Sequence, residues 1–77
     1  MNMPAKKDLQ EAASRFRHAE IALNDIADKI DAANYLLCDE VAYDVARMAE
    51  ILALRLKILA NRCYGYLDLE EEASKDG

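Results

Sequence analysis

Two apolar heptad repeats constrain this chain of 77 residues more than any other feature. In the first repeat, from Leu9 to Leu37, an apolar residue recurs every seven positions and another follows three positions later. The second repeat, from Ala42 to Tyr66, obeys the same rule. This alternation of three and four residues is the pattern of a packed helical seam. The sequence therefore predicts two long α-helices.

The acidic segment between the repeats, at about residues 34–40, predicts a turn. Asn34 accepts the left-handed conformation that often ends a helix, and Asp39 can cap the next helix with Glu40 in its first turn. The segment contains neither glycine nor proline, so one helix running through the break is the alternative.

We expect a single all-α domain over residues 1–77, formed by an antiparallel hairpin of helices at about 5–36 and 40–70. The ends, 1–4 and 71–77, are expected to fray or be disordered. A chain this short rarely forms a sufficient core alone, and the apolar arc of the second helix is wider than one neighbouring helix can cover. The sequence therefore predicts that two hairpins pair into a homodimeric four-helix bundle, a coiled-coil-like arrangement.

The seam of this bundle is expected to hold large side chains from both helices. Its members are Leu9, Phe16, Leu23, Ile26, Ile30, Val45, Leu52, Leu56, Leu59 and Tyr66. Within one hairpin we expect large residues to face each other, as Leu23 would face Leu52. A column of small residues that begins at Ala46 flanks the second helix, and we expect it to let a second hairpin approach closely.

Composition is typical of a soluble helical chain, with 53% hydrophobic and 32% charged residues. The most apolar window is interrupted by Arg55 and Lys57, so the sequence predicts neither a membrane span nor a secretion signal. We expect a cytoplasmic location. Cys38 and Cys63 would lie too far apart along the hairpin for a disulfide, and both are expected to be free thiols in a reducing compartment.

Residues that carry catalysis or bind metals are sparse. His18 is the only histidine and has no cysteine or histidine at ligand spacing. Aspartates recur every three residues over 25–31, a spacing that can bind a hard cation but more often marks a solvated helix face. Lys29 and Arg47 are available to neutralise them. We expect no enzyme activity, no cofactor, no metal and no small-molecule substrate.

A second apolar strip on the second helix is the best candidate for a binding site. It consists of Ile51, Leu54 and Ile58, bordered by Arg47, Arg55 and Arg62. Exposed aliphatic residues ringed by arginine are the composition expected of a protein-binding patch. The leading hypothesis is a non-enzymatic regulatory protein of bacterial, plasmid or phage type, a helical dimer that binds and modulates a larger protein. Burial of the strip inside the dimer or a larger oligomer is the alternative.

A predicted basic zone makes nucleic acid an alternative class of partner. It would combine Arg15, Arg17 and His18 with Lys57 and Arg62. The formal charge of −5 opposes such binding, and Glu11 and Glu20 can screen the zone.

The layout of the chain, two heptad-patterned helices with an acidic turn and an acidic tail, resembles that of the Rop-type plasmid RNA-binding proteins. The resemblance implies the topology of a dimeric helical hairpin and makes RNA binding the second hypothesis. That family holds paired RNA loops with polar and aromatic side chains on the outer face of its first helices, whereas Phe16 is expected in the core here. A pure scaffold or assembly subunit is the third hypothesis.

Overall fold

A computed structural model describes the backbone of residues 6–76 and the side chains of residues 6–69. Within that part of the chain it has two α-helices, α1 (Lys6–Leu37) and α2 (Glu40–Asp76), which pack against each other as a hairpin. The predicted all-α hairpin is confirmed, and the alternative of one continuous helix is wrong.

The observed helix bounds agree with the predicted ones except at the end of α2. The first helix begins and ends within a residue of the predicted bounds, whereas α2 continues through residues 71–76, past its predicted end near residue 70. The predicted fraying of residues 1–4 and of Gly77 lies outside the described residues.

The turn between the helices is only two residues long. Cys38 lies in the left-handed region, with φ of 49°, and its N–H donates to the Asn34 carbonyl oxygen at 2.9 Å. The Asn34 side-chain oxygen accepts a hydrogen bond from the Asp39 N–H at 2.7 Å. The predicted break is thus confirmed, but the left-handed residue is Cys38 and not Asn34, because α1 continues one turn further and Asn34 contributes its side chain instead.

Asp39 caps α2, as the sequence predicts. Its Oδ1 accepts hydrogen bonds from the backbone N–H groups of Val41 at 2.7 Å and Ala42 at 3.3 Å. Asp39→Ala should lower the free energy of unfolding by about 1 kcal/mol in urea denaturation, because these donors lose their acceptor. Asp39→Asn keeps an acceptor oxygen and should retain most of the stability. Equal losses from both variants would show that the cap hydrogen bonds are not the cause.

Alanines form the contact between the helices. Five of them are at most 1% exposed, and we call these residues the alanine seam: Ala13, Ala27, Ala46, Ala53 and Ala60. With no atoms beyond Cβ, they let the two backbones approach closely and gain dispersion contacts. Larger residues beside the seam, such as Phe16 and Leu23, are half-buried.

This contact corrects two expectations about packing. The small column that begins at Ala46 was expected to receive a second hairpin, but it lies between α1 and α2 of one chain. Leu52, expected to face Leu23 across the hairpin, is 49% exposed. On α2, two columns flank the apolar heptad positions: the residues three positions later are large, as at Leu52, and those four positions later are small, as at Ala53. Close packing of the two helices places the column of small residues between them.

A broad apolar surface remains on one side of the hairpin, and we call it the open face. Its members are Ala12, Ala19, Ile26 and Ala33 of α1, with Val45, Leu52, Leu59 and Tyr66 of α2. The four residues of α2 are between 39% and 49% exposed. At the turn, Ala33 and Leu37 share the lining of a cavity of about 400 Å³ with Val41 and Val45, so the columns of the two helices lie on the same side.

One hairpin does not enclose a core. It measures 60 × 23 × 14 Å, so its smallest dimension is close to the ~10–12 Å diameter of a single helix. Its exposed surface is 6098 Å², whereas a folded monomer of 8.7 kDa is expected to expose about 4,700 Å². Among residues 6–69, Leu67 is the only large hydrophobic residue that is buried, at 8% exposure. The hairpin therefore has a seam and a large uncovered apolar surface.

Candidate interaction surfaces

Ile51, Leu54 and Ile58 form a second uncovered surface, which we call the outer strip. They are 52%, 57% and 43% exposed, respectively. At 3.6 residues per turn Ile51 and Ile58 lie on the opposite side of α2 from the alanine seam and face away from α1, while Leu54 lies beside them, about 100° around the helix from Ala53. The outer strip is therefore accessible on the hairpin and distinct from the open face.

Cationic side chains separate the two surfaces. Arg55 and Arg62 line a shallow groove of about 330 Å³ together with Ile58 of the outer strip and Leu59 of the open face. Neither arginine forms an ion pair with any described residue, and the same holds for Lys57. These charges are therefore not compensated within residues 6–69.

Arg47, which the sequence also assigns to the border of the strip, is engaged within the hairpin. Its guanidinium donates a hydrogen bond to the carboxylate of Asp31 on α1, pairs with Glu50 at 3.2 Å and lies 5.0 Å from the centre of the Tyr43 ring. The hydrogen bond to Asp31 is the main cause that raises the pKa of Arg47 above its ordinary value. Arg47 thus links the two helices, and its charge is already compensated.

The predicted basic zone is partly neutralised. Arg15 pairs with Glu11 and Arg17 pairs with Glu20, each at 2.8 Å. The Glu20 side chain is only 13% exposed, which places its pair with Arg17 beside the helix contact. The expected screening by Glu11 and Glu20 is confirmed. RNA binding stays a prediction.

The aspartates of α1 are divided between separate cations. Asp31 contacts Arg47, while Asp25 pairs with Lys29 at 2.8 Å and raises the pKa of Lys29 above its ordinary value through their hydrogen bond. The two neutralising partners expected from the sequence are confirmed. Within residues 6–69, no group of three or more His, Cys, Asp or Glu side chains is arranged to hold a metal ion.

The remaining reactive side chains are scattered. His18 is exposed on α1, Cys38 is an exposed free thiol at the turn, and Cys63 is a half-buried free thiol on α2. No helix in the described part of the chain has an apolar stretch sufficient to cross a membrane.

Sequence reasoning missed the open face as a surface separate from the helix contact. The signal was present in the residues that follow each heptad position by three: they are mostly alanine on α1, as at Ala19 and Ala33, and large on α2, as at Leu52 and Leu59. No family model, curated protein or solved structure matches the chain. What the two surfaces bind is therefore inferred from their shape, exposure and charge.

Proposed function

We propose that this chain is a non-enzymatic, cytoplasmic regulatory protein that forms a homodimer and docks on a larger protein. One observation carries the proposal: α2 exposes two apolar surfaces on different sides, the open face and the outer strip, with Arg55 and Arg62 between them. A second hairpin on the open face would complete a four-helix bundle. The outer strip would then remain available for a different partner.

The outer strip favours a helical segment of the partner as its ligand. Its aliphatic residues are spaced by three and four positions, so they form a ridge that fits the groove of an apposed helix. Arg55, Lys57 and Arg62 lie nearby without a carboxylate among the described residues. A partner helix that carries Asp or Glu beside its own aliphatic residues would supply those carboxylates. The expected ligand is therefore an acidic amphipathic helix.

The variant Ile51→Asp with Ile58→Asp should abolish docking. A photo-crosslinking residue at position 58, used in the native host, would capture the partner for identification and purification. Calorimetric titration would then compare the affinities of the unmodified chain and of the variant for the purified partner. Docking would bury the exposed half of each isoleucine, which contributes about 0.7–1.5 kcal/mol each, so affinity should fall at least about 10-fold. Dimer mass and helical circular dichroism should stay unchanged.

Ile21→Asp provides the matched control. Ile21 is 59% exposed on α1 and belongs to neither surface, so the same substitution there should preserve docking. If the strip variant loses the dimer, the outer strip belongs to the oligomer core. If it binds the purified partner with full affinity, the docking site is elsewhere. Either result contradicts the proposal.

A further inference from the structure

We infer that the two hairpins pack open face against open face with both turns at the same end of the bundle. The inference rests on the dimer proposed above and specifies its geometry. Two twofold arrangements can bring these faces together. With the turns at the same end, α1 lies opposite the partner's α2. With the turns at opposite ends, α1 lies opposite the partner's α1, and α2 opposite the partner's α2.

The contact between Asp31 and Arg47 fixes the register of the two helices. In that register each open-face residue of α1 is level with one of α2: Ala12 with Tyr66, Ala19 with Leu59, Ile26 with Leu52, and Ala33 with Val45. Three of these four layers join an alanine on α1 to a large residue on α2. The open face thus has a small half and a large half along most of its length.

Only the same-end arrangement matches small residues to large ones in most layers between the hairpins. It places the alanines of α1 opposite the large residues of the partner's α2, such as Leu59, so the separation of the hairpins is similar at both edges. In the opposite-end arrangement large residues face each other in every layer of α2, whereas on α1 Ala12 faces Ala33 and Ala19 faces Ile26. The hairpins would then splay and leave voids beside the alanines, which close-packed interiors avoid.

The cavity at the turn supports the same geometry. Its lining includes Ile30, Leu37, Val41 and Val45, and it opens on the side of the open face. With both turns at one end, the two cavities meet across the twofold axis, and their exposed apolar rims pack against each other. Leu37 and Val41, at the rim of the cavity, are 66% and 69% exposed in one hairpin. The contact between the two rims would remove part of this apolar surface from water.

The area of exposed surface fits a second copy. The exposed surface of 6098 Å² exceeds that expected of a folded monomer by about 1,400 Å². A standard stable interface removes about 800 Å² from each partner. The excess is therefore larger than the area that a standard interface removes from one partner.

The turn provides a native position for the test. Cys38 is exposed, so a nitroxide spin label attached to it, in the 77-residue chain with Cys63→Ala, reports the separation of the two turns by pulsed dipolar spectroscopy. We expect a main distance below about 30 Å if the turns share one end. Opposite ends would place them about 48 Å apart, since α1 has 32 residues that rise 1.5 Å each.

Two measurements on the same sample separate the possible failures. Sedimentation reports whether the labelled chain is a dimer, and dipolar spectroscopy reports how its turns are placed. A dimer with a main distance near 48 Å overturns the same-end geometry and leaves the proposed dimer standing. A species of 8.7 kDa overturns the dimer, and the inference with it. If labelling at Cys38 reduces helical circular dichroism, the label is moved to exposed Tyr35 by the substitutions Tyr35→Cys and Cys38→Ser. A label at position 35 reports the same end of the hairpin.

Discussion

A chain carrying Leu52→Asp and Leu59→Asp should sediment as a monomer of 8.7 kDa and lose most of its helical circular dichroism. Both leucines lie centrally in the open face, at 49% and 39% exposure, and a second hairpin would bury what remains. Because less than half of each side chain remains to be buried, each dimer loses four leucine contacts of about 0.6–1.5 kcal/mol. The dissociation constant should rise by at least about 50-fold, because the sum is at least about 2.4 kcal/mol. Sedimentation velocity over roughly 1 to 100 μM chain measures the dissociation constant.

The outer-strip variant, Ile51→Asp with Ile58→Asp, is the control for this result. It introduces the same two charges into the same helix at the same seven-residue spacing, but on the side that faces away from the open face. It should keep the dimer mass. If the two variants behave alike, the loss comes from charge in α2 and not from the open face. A dimer that survives Leu52→Asp with Leu59→Asp would show that the hairpins meet elsewhere.

The helices and the turn were predictable because local rules decide them. Heptad spacing places the apolar residues on one side of each helix, and Asp39 has the side chain that a helix N-terminus requires. The identity of the left-handed residue was not predictable in this way. Asn34 tolerates that conformation better than Cys38, but the position at which α1 must stop depends on how far the two helices run alongside each other.

The choice of the contact column could not be read from periodicity. Ala53 and Leu52 both lie beside the same apolar positions, and a helical repeat treats them as equivalent neighbours. Which one lies between α1 and α2 depends on the distance between the backbones, a property of the packed pair and not of either helix. The alanines signal close approach, but the sequence does not state whether the approaching backbone belongs to the same chain.

The exposure of Ile51 and Ile58 on a single hairpin was predictable for the opposite reason. Ile51 and Ile58 fall in neither column, so no packing of the hairpin would bury them. Arg47 was less predictable as a member of the border of the outer strip. Its neutralising role toward the aspartates of α1 was expected, but its position over Tyr43 depends on the contact with α1 that brings Asp31 within reach.

The alanine seam should tolerate enlargement poorly. Ala46→Leu with Ala60→Leu replaces a methyl by an isobutyl group at two positions that are 0% exposed in the contact between the helices. Overpacking costs about 1–3 kcal/mol at each site, so the free energy of unfolding should fall by about 2–6 kcal/mol. That loss is a large part of the stability of a small domain. Urea denaturation at fixed chain concentration, followed by circular dichroism, measures it.

Ala32→Leu tests whether size alone is responsible. Ala32 is exposed on α1, and leucine has nearly the helix propensity of alanine, so this change should shift stability by no more than about 0.5 kcal/mol. Each seam substitution is compared with it singly before the double variant is interpreted. If Ala60→Leu changes the free energy of unfolding as little as Ala32→Leu does, the small size of the alanines does not set the distance between α1 and α2. The small and large halves of the open face would then lose their fixed spacing, because that spacing depends on how closely the alanine seam holds α1 to α2.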